Sequence, residues 1–154
     1  MPLLRFAVFL IISLIGSVAN AEPTLSIVVG SETITLSRSE LESLPQQRIA
    51  TTSPYFEGTQ EFSGPSLQAL IDTYRQPGNE SILFRALNNY SVETPLQDAS
   101  ALNAIIATRR DSGVMSVRSR GPFWVMLPLA QQPDLDNPDH HRLMIWQLSS
   151  IELK

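Results

Sequence analysis

The sequence contains no cysteine among its 154 residues. No disulfide bond can therefore stabilise the chain, and no thiolate is available as a nucleophile or as a soft metal ligand. Lysine is almost as scarce, because Lys154 is the one lysine among 11 basic residues. This bias towards arginine favours recognition through planar, forked hydrogen bonds over simple charge attraction, although it is equally consistent with a bias in genome composition.

The first segment predicts an export signal. Arg5 supplies a positive charge, residues 6–15 form an apolar run, and Ala19-Asn20-Ala21 has the small-residue pattern of a cleavage site. The apolar run is shorter than the roughly 20 residues that span a bilayer, which favours a cleaved signal over a membrane anchor. We therefore expect residues 1–21 to be a signal peptide. Residues 22–154 should form one exported mature domain, with no membrane insertion after cleavage.

The charge balance bears on the class of partner. The chain has 15 acidic and 11 basic residues, and cleavage would remove only Arg5 from the basic set. An acidic exported domain is a poor candidate for non-specific binding to nucleic acid or to anionic lipid. We therefore expect neither of them as a partner.

The most informative stretch runs from residue 109 to residue 129. Before Trp124 it carries four arginines within twelve positions, namely Arg109, Arg110, Arg118 and Arg120. Guanidinium groups suit planar or anionic partners and an indole offers a stacking surface, so the stretch predicts a site for a small heteroaromatic or oxyanionic ligand. Two other interpretations remain open. The arginines beside Asp111 would lie in a solvated turn, and Trp124, inside an apolar run, would be a core residue.

The remaining pattern indicates one domain of short elements. Turn signals at residues 30–32 and 88–89 separate runs of β-forming residues and predict two hairpins. Residues 37–40 have capping-box spacing for a short helix, and the segment from Phe62 onwards predicts a second helix with Pro65 in its first turn. The expected fold class is α+β, a single mainly β domain with short helices.

Two further segments have the composition of loops. Pro54 and Gly58 bracket a predicted loop that contains Tyr55 and Phe56, and loops on a rigid scaffold often carry binding sites. The alternative is that these two aromatic side chains pack back onto the core. Residues 131–140 are rich in Pro and Asp and predict a surface loop. The pair His140-His141 at the end of this segment lacks a third ligand at the usual zinc spacing, so no metal site is expected there.

The order of several motifs resembles a known family. These motifs are Thr51-Thr52-Ser53-Pro54-Tyr55, Phe62-Ser63-Gly64-Pro65-Ser66-Leu67, Ala86-Leu87-Asn88-Asn89-Tyr90, Ala107-Thr108-Arg109, Val117-Arg118-Ser119-Arg120-Gly121-Pro122-Phe123-Trp124 and Ile145-Trp146-Gln147-Leu148. In this order they are similar to the small exported members of the sulfite-oxidase-fold, or oxidoreductase molybdopterin-binding, family. The resemblance implies a mainly β fold that holds a pterin. In catalytic members it also implies a molybdenum centre bound by one cysteine.

The missing cysteine separates this chain from the catalytic members. The resemblance places the metal-binding cysteine near a strand end at residues 51–54, where this chain has hydroxyl and proline side chains instead. A hydroxyl is a hard, high-pKa group and cannot replace a soft thiolate in fixing and tuning the metal. Molybdenum is therefore not expected, and no catalytic residue is assigned.

A cysteine-free subset of the family resembles this chain in build and acts as periplasmic pterin-binding regulators. These dock on the sensory domain of a membrane-bound cyclic-di-GMP synthase or phosphodiesterase. The resemblance implies the same role here, with a pterin as the ligand and such a domain as the protein partner. The ligand-binding residues expected on this basis are Tyr55, Asn88, Tyr90, Arg109, Arg118, Arg120, Gly121 and Trp124.

Chemical roles follow for some of these residues. Trp124 or Tyr55 would stack on the pterin ring, and Asn88 would form hydrogen bonds with the donors and acceptors along the edge of the ring. Arg118 or Arg120 would contact a carbonyl of the pterin or a phosphate on its side chain. Two other hypotheses remain open. One is an oxidoreductase whose molybdenum is held by the dithiolene of the cofactor alone. The other is an exported interaction module with a vestigial pocket.

Overall fold

The computed structural model describes residues 21–154, so the predicted signal peptide lies outside the described residues except for its last position. The strands, in chain order, are β1 (Thr24–Val29), β2 (Glu32–Ser37), β3 (Gln46–Ser53), β4 (Phe56–Pro65), β5 (Ser81–Ala86), β6 (Ser91–Pro95), β7 (Ile105–Ala107), β8 (Arg109–Arg110), β9 (Gly113–Val114), β10 (Trp124–Met126) and β11 (Leu148–Leu153). The α-helices are α1 (Arg38–Ser43), α2 (Leu67–Tyr74), α3 (Leu96–Ala101) and α4 (Pro138–His141). The predicted α+β, mainly β fold class is confirmed.

The larger sheet has five strands in the order β2-β1-β11-β5-β6. Strands β1 and β2 form the predicted hairpin, and Gly30 in its turn has a φ of 59°, a conformation that glycine adopts without steric cost. On its other side β1 pairs in parallel with β11, with Ile27 opposite Ile151. Alternate residues of β1 are buried, as expected for a strand with one face on the core. The first and last strands of the chain therefore lie side by side inside this sheet.

The second sheet has four strands in the order β3-β4-β8-β9, and β7 pairs separately with β10. Strand β4 has 10 residues and pairs antiparallel with β3. Two sequence predictions are wrong here. The loop predicted from Pro54 to Gly58 is only a short turn, because β4 already begins at Phe56, and the second helix, predicted from Phe62, begins only at Leu67, because residues 62–65 still belong to β4.

Close packing at Gly64 explains why this segment is a strand. A Cβ atom on Gly64 would lie 1.9 Å from the carbonyl oxygen of Ile106, so the backbone of β4 rests directly against β7. Pro65 ends the strand instead of starting a helix. Helix α2 begins at Leu67, and the hydroxyl of its N-cap Ser66 accepts a hydrogen bond from the N–H of Ala69 at 3.3 Å.

The short helices begin at capping residues. Helix α1 has the predicted capping box, because Ser37 Oγ accepts the N–H of Glu40 at 3.2 Å and the Glu40 carboxylate accepts the N–H of Ser37 at 2.7 Å. The surface-loop prediction for residues 131–140 is corrected, since residues 138–141 form α4. The side chain of Asn137 caps α4 and Pro138 stands in its first turn, which is a helix-start signal.

One cluster of buried apolar side chains joins both sheets, the β7–β10 pair and the helices. Its largest members include Trp124 of β10, Phe62 of β4 and Phe84 of β5, each of them fully buried. The rings of Phe62 and Trp124 meet edge to face, with centroids 5.7 Å apart. Within residues 21–154, no helix has the length and apolar character needed to cross a membrane.

Candidate functional site

A pocket of about 260 Å³ lies where the turn after β5 meets the segment after α4. Its volume is just below the roughly 300–1,000 Å³ usual for drug-sized ligands, so it suits a small one. The pocket is lined by Tyr55, Ala86, Asn88, Tyr90, His141, Arg142, Met144, Ile145 and Trp146. Three of the residues predicted to bind a ligand, Tyr55, Asn88 and Tyr90, are thus brought together. A wider depression of about 540 Å³ between α2 and α3 has no aromatic lining.

The predicted hairpin between β5 and β6 places Asn88 and Tyr90 in the pocket wall. The turn is tight because the N–H of Ala86 donates to the carbonyl of Tyr90 at 2.8 Å, while Asn89 takes up a positive φ of 66°. The side-chain oxygen of Asn88 accepts the N–H of Tyr90 at 3.0 Å. The amide N–H groups of Asn88 make no hydrogen bond within residues 21–154, so they are available to a ligand.

Two tyrosine hydroxyls hold the end of α4 against the pocket. Tyr55, at the β3–β4 turn, donates to the carbonyl of His141 at 2.9 Å, and Tyr90 donates to the carbonyl of Arg142 at 3.4 Å. The backbone carbonyls of His141 and Arg142 are therefore each held by a tyrosine from a different turn of the chain. Burial, with a smaller contribution from Tyr90, raises the pKa of Tyr55, so its hydroxyl remains a proton donor at neutral pH.

Trp146 is an aromatic pocket residue absent from the predicted site. Its ring meets that of Tyr55 edge to face, with centroids 5.0 Å apart and an interplanar angle of 71°. The sequence offered one signal for it, the Ile145-Trp146-Gln147-Leu148 motif, which carries no information about which side chain faces a ligand. Ile145 and Leu148 of this motif are buried, whereas Trp146 itself is partly exposed.

Trp124 does not line the pocket, which corrects its predicted role as a stacking surface. It is 0% exposed, and its indole N–H donates to the carbonyl of Met144 at 3.1 Å. The alternative interpretation as a core residue holds, because β10 is buried along its whole length. Trp124 contributes indirectly, since Met144 belongs to the pocket wall that it supports.

Arg109 also lies outside the pocket lining. Its Nε and one terminal nitrogen donate to the two carboxylate oxygens of Glu42 at 2.8 and 3.0 Å, and the hydroxyl of Thr108 donates to the same carboxylate at 3.0 Å. The hydrogen bond from Arg109 is the main cause that lowers the pKa of Glu42, and Glu42 raises the pKa of Arg109. This bidentate pair joins β8 to α1. The structure thus places Arg109 in a structural pair away from the pocket, and the ligand contact expected for it stays a prediction.

The positions of Arg118 and Gly121 do not support the ligand contacts predicted for them. Arg118 is exposed in a single 3-10 turn over residues 117–119. Gly121 is buried, and a Cβ atom there would lie 2.2 Å from the carbonyl oxygen of Met115. Close backbone packing alone explains why this position is a glycine, without any contact to a ligand.

Arg120 lies behind the pocket wall. Its guanidinium carbon is 5.7 Å from the ring centroid of Trp124 and 5.5 Å from that of Trp146. One terminal nitrogen donates to the backbone carbonyl of Tyr55. Arg120 therefore contacts two pocket residues, Tyr55 and Trp146, without lining the pocket itself.

Two basic residues of the pocket were not predicted. His141 pairs with Asp136, with 2.6 Å between Nε2 and Oδ1. Arg142 is exposed and forms no ion pair with any residue from 21 to 154. The composition of the preceding segment indicates an irregular loop and gives no sign of them. The last residue of α4 and its C-cap residue are the positions that present these side chains to the pocket.

Thr51 lies in the segment, residues 51–54, where the resemblance placed the metal-binding cysteine, and its side chain is hydrogen-bonded to the backbone. Thr51 is fully buried; its hydroxyl donates to the carbonyl of Leu127 and accepts the N–H of Leu129, both at 2.9 Å. Among the described residues no group of three or more His, Asp or Glu side chains is placed to hold a metal. The residues present do not fit a cysteine-bound molybdenum centre, since the chain has no cysteine.

No protein-family model and no curated protein matches the sequence. Among solved structures, the chain is similar to the sulfane dehydrogenase SoxCD from Paracoccus pantotrophus, with a TM-score of 0.62 and 11% sequence identity. The match covers 85% of this chain and 38% of that chain, so this chain spans well under half the length of the SoxCD chain. At such low identity the similarity shows the fold alone. It confirms that the domain has a sulfite-oxidase-type fold.

Proposed function

We propose that this chain is a periplasmic, non-catalytic protein that binds a pterin and signals the occupancy of its pocket to the periplasmic domain of a membrane-bound cyclic-di-GMP synthase or phosphodiesterase. One observation carries the proposal. A small pocket on a sulfite-oxidase-type fold is lined by three aromatic side chains, Tyr55, Tyr90 and Trp146, from three separate segments. Such a lining suits a flat aromatic ligand.

The chemistry of the pocket fits a pterin, which is a flat bicycle with an edge of hydrogen-bond donors and acceptors. The aromatic lining supplies apolar contact for the ring faces. The free amide N–H groups of Asn88 suit an acceptor on the ring edge, and the unpaired Arg142 suits a carbonyl or an anionic side chain. A volume of about 260 Å³ has room for one small ring system.

Binding is favoured over oxidoreductase activity by a side chain in the segment, residues 51–54, where the metal-binding cysteine is expected. Both hydrogen-bonding capacities of the Thr51 hydroxyl are used by the backbone of residues 127–129. No thiolate exists elsewhere in the chain to take over the metal. The alternative of a metal held by cofactor alone therefore gains no support from any side chain of this protein.

The pocket adjoins surface that a partner protein can reach. The β5–β6 turn, which supplies Asn88 to the pocket, also carries Leu87 and Tyr90, which are 52% and 49% exposed. A ligand that shifts this turn would change the exposed surface at the same time. It can act as a signal only if it binds more tightly to the form that the partner recognises.

Ligand binding is tested with purified protein and a reduced pterin such as tetrahydrobiopterin. Titration calorimetry should show one site per chain, and the melting temperature should rise with ligand concentration because the ligand binds the folded state. Indole, a flat aromatic without the pterin edge, serves as the control and should bind much more weakly. No heat of binding and no shift in melting temperature with any reduced pterin would exclude this function.

Signalling is tested in the native host. Deletion of the gene should change the cellular cyclic-di-GMP level, and the wild-type gene should restore it. A Trp146→Ala gene, which removes one pocket wall, should fail to restore it while yielding the same amount of exported protein. Equal restoration by both genes would favour an interaction module with a vestigial pocket.

A further inference from the structure

We infer that Arg120 is the positioning residue of the pocket, which places Tyr55 and Trp146 for the ligand without touching the ligand itself. The inference rests on the proposed function in taking the pocket as a binding site. It assigns to Arg120 a role different from the direct ligand contact expected from the sequence. The position of this arginine behind two pocket residues is the observation that leads to it.

The side chain of Arg120 joins segments that are far apart in sequence. Its guanidinium lies 5.7 Å from the ring of Trp124 and 5.5 Å from that of Trp146, a cation–π distance to both rings. The same group donates to the carbonyl of Tyr55 in the β3–β4 turn. One planar cation therefore connects the core, the turn that carries Tyr55 and the segment that carries Trp146.

The backbone of Arg120 supports the same arrangement. Arg120 has a φ of 67°, and its carbonyl accepts the N–H of Gln147 at 2.9 Å. The side-chain amide of Gln147 donates to the carbonyl of Val117 at 2.9 Å. Residues 117–120 are thereby tied to the residue that follows Trp146, so both the main chain and the side chain of Arg120 hold the position of this tryptophan.

The remaining contacts of the Trp146 ring are weaker constraints, while its backbone forms an isolated antiparallel β-bridge with Trp124. Its ring meets Tyr55 edge to face at 5.0 Å and Trp124 at 6.4 Å between centroids. Neither contact is a hydrogen bond, and the ring is partly exposed. Loss of the guanidinium would remove the cation that lies against Trp146 and the hydrogen bond to the carbonyl of Tyr55, leaving the Tyr55 hydroxyl bound to the carbonyl of His141. The ring of Trp146 would then become more mobile, and the Tyr55 turn would be held less firmly.

Three variants of the full chain test the inference. Arg120→Gln removes both the positive charge and the planar guanidinium group. Arg120→Lys keeps the charge but removes the planar group with its paired N–H donors. Arg118→Gln is a matched control at an exposed arginine of the same segment. Gln and Lys meet the same backbone cost at a positive φ. Folding of each variant is checked by circular dichroism and melting temperature. If Arg120→Gln does not fold, Arg120→Lys is compared with Arg118→Lys in both measurements.

The first measurement needs no ligand. Acrylamide quenching of tryptophan fluorescence should increase in Arg120→Gln, to a smaller extent in Arg120→Lys, and not in Arg118→Gln. The increase should disappear when Trp146 is also changed to Phe, because Trp124 stays in the core. Quenching in Arg120→Gln equal to that of Arg118→Gln would overturn the inference whether or not the protein binds a pterin. Absence of pterin binding by the wild type would instead remove the proposed function.

The second measurement compares a neutral pterin with pterin-6-carboxylate. A positioning role predicts that Arg120→Gln weakens both ligands equally, by about tenfold, as loss of a partly desolvated cation–π contact implies. Arg120→Lys should recover part of this loss. A loss restricted to the carboxylate would show a direct contact with the anionic group and would overturn the positioning role.

Discussion

The indole of Trp146 and the phenol of Tyr55 meet edge to face, with ring centroids 5.0 Å apart. The two residues belong to the segment after α4 and to the β3–β4 turn, which are distant in sequence. Their contact forms one corner of the pocket, and the hydroxyl of Tyr55 also holds the carbonyl of His141. The pocket therefore exists only when the second sheet and the C-terminal part of the chain are both folded.

Removal of the Trp146 ring should weaken pterin binding. We expect Trp146→Ala to raise the dissociation constant by about tenfold to a hundredfold, as alanine substitution of a stacking aromatic residue does elsewhere. Titration calorimetry with tetrahydrobiopterin measures the change. The matched control is Tyr74→Ala, which removes a half-buried aromatic ring of α2 that does not line the pocket. An equal loss of affinity in the control would contradict the assignment of Trp146.

The other tryptophan should matter for stability. Trp124→Ala is expected to lower the free energy of unfolding by about 3–5 kcal/mol, because it empties a large volume in the core and leaves the carbonyl of Met144 without its donor. Urea unfolding followed by circular dichroism measures the effect. Trp146→Ala should cost clearly less, since its ring is partly exposed. A smaller loss for Trp124→Ala than for Trp146→Ala would show that the two roles are reversed.

Local patterns predicted the elements well. The capping box of α1, the hairpins after β1 and β5 and the fold class all follow from the chemistry of neighbouring residues. The segment from Phe62 to Ser66 could not be assigned in this way. Its conformation depends on the contact of Gly64 with the distant residue Ile106, and no local pattern reports such a contact.

The site was only partly predictable for the same reason. Tyr55, Asn88 and Tyr90 lie in turns, where composition indicates exposure. The arginines gave no such indication, because the direction of a guanidinium depends on its tertiary partner. Arg109 meets Glu42, and Arg120 lies against two indole rings. Trp124 lies in an apolar run, so a buried position could be predicted for it as one of two interpretations. The partial exposure of Trp146 could not be predicted from its neighbours.

Gly64 should not tolerate a side chain. In Gly64→Ala the new Cβ would lie 1.9 Å from the carbonyl oxygen of Ile106, so β4 and β7 would have to separate. We expect a loss of about 2–3 kcal/mol or more in the free energy of unfolding. The control is Gly113→Ala, where the nearest atom would be at an ordinary 3.5 Å. Thermal melts of both variants compare the effects, and similar melting temperatures would be inconsistent with the packing described.

The Glu42–Arg109 pair should stabilise the fold in a pH-dependent way. Because the pKa of Glu42 is lowered in the folded state, the contribution is present above the ordinary value of 4.5 and is lost as the pH falls through the lowered value. Glu42→Gln should therefore reduce stability at pH 7 by about 1 kcal/mol, since the pair is partly exposed. Near pH 3 the difference from wild type should shrink. Urea unfolding at both pH values measures this.

A surface pair provides the control for that experiment. Arg48 and Glu61 are 3.2 Å apart, but their side chains are 70% and 44% exposed. Glu61→Gln should change the free energy of unfolding by only a few tenths of a kcal/mol. An equal effect of the two substitutions at pH 7 would argue against a structural role for the bidentate pair.

The hydroxyl of Thr51 should be needed for stability. Thr51→Val keeps the shape of the side chain but leaves the carbonyl of Leu127 and the N–H of Leu129 without their partner. Unsatisfied buried groups of this kind cost about 1–3 kcal/mol, which chemical unfolding can measure. Thr51→Ser retains the hydroxyl and should recover most of the loss. Indistinguishable unfolding of the valine and serine variants would contradict the hydrogen bonds.

The parallel pairing of β1 with β11 has a consequence for how the molecule forms. Because β11 lies between β1 and β5, the large sheet stays divided until the final residues of the described chain arrive. Contacts that join opposite ends of a polypeptide form slowly, since a long loop must close first. A chain lacking its last strand would therefore leave the β1–β2 and β5–β6 hairpins as two separate pieces of sheet.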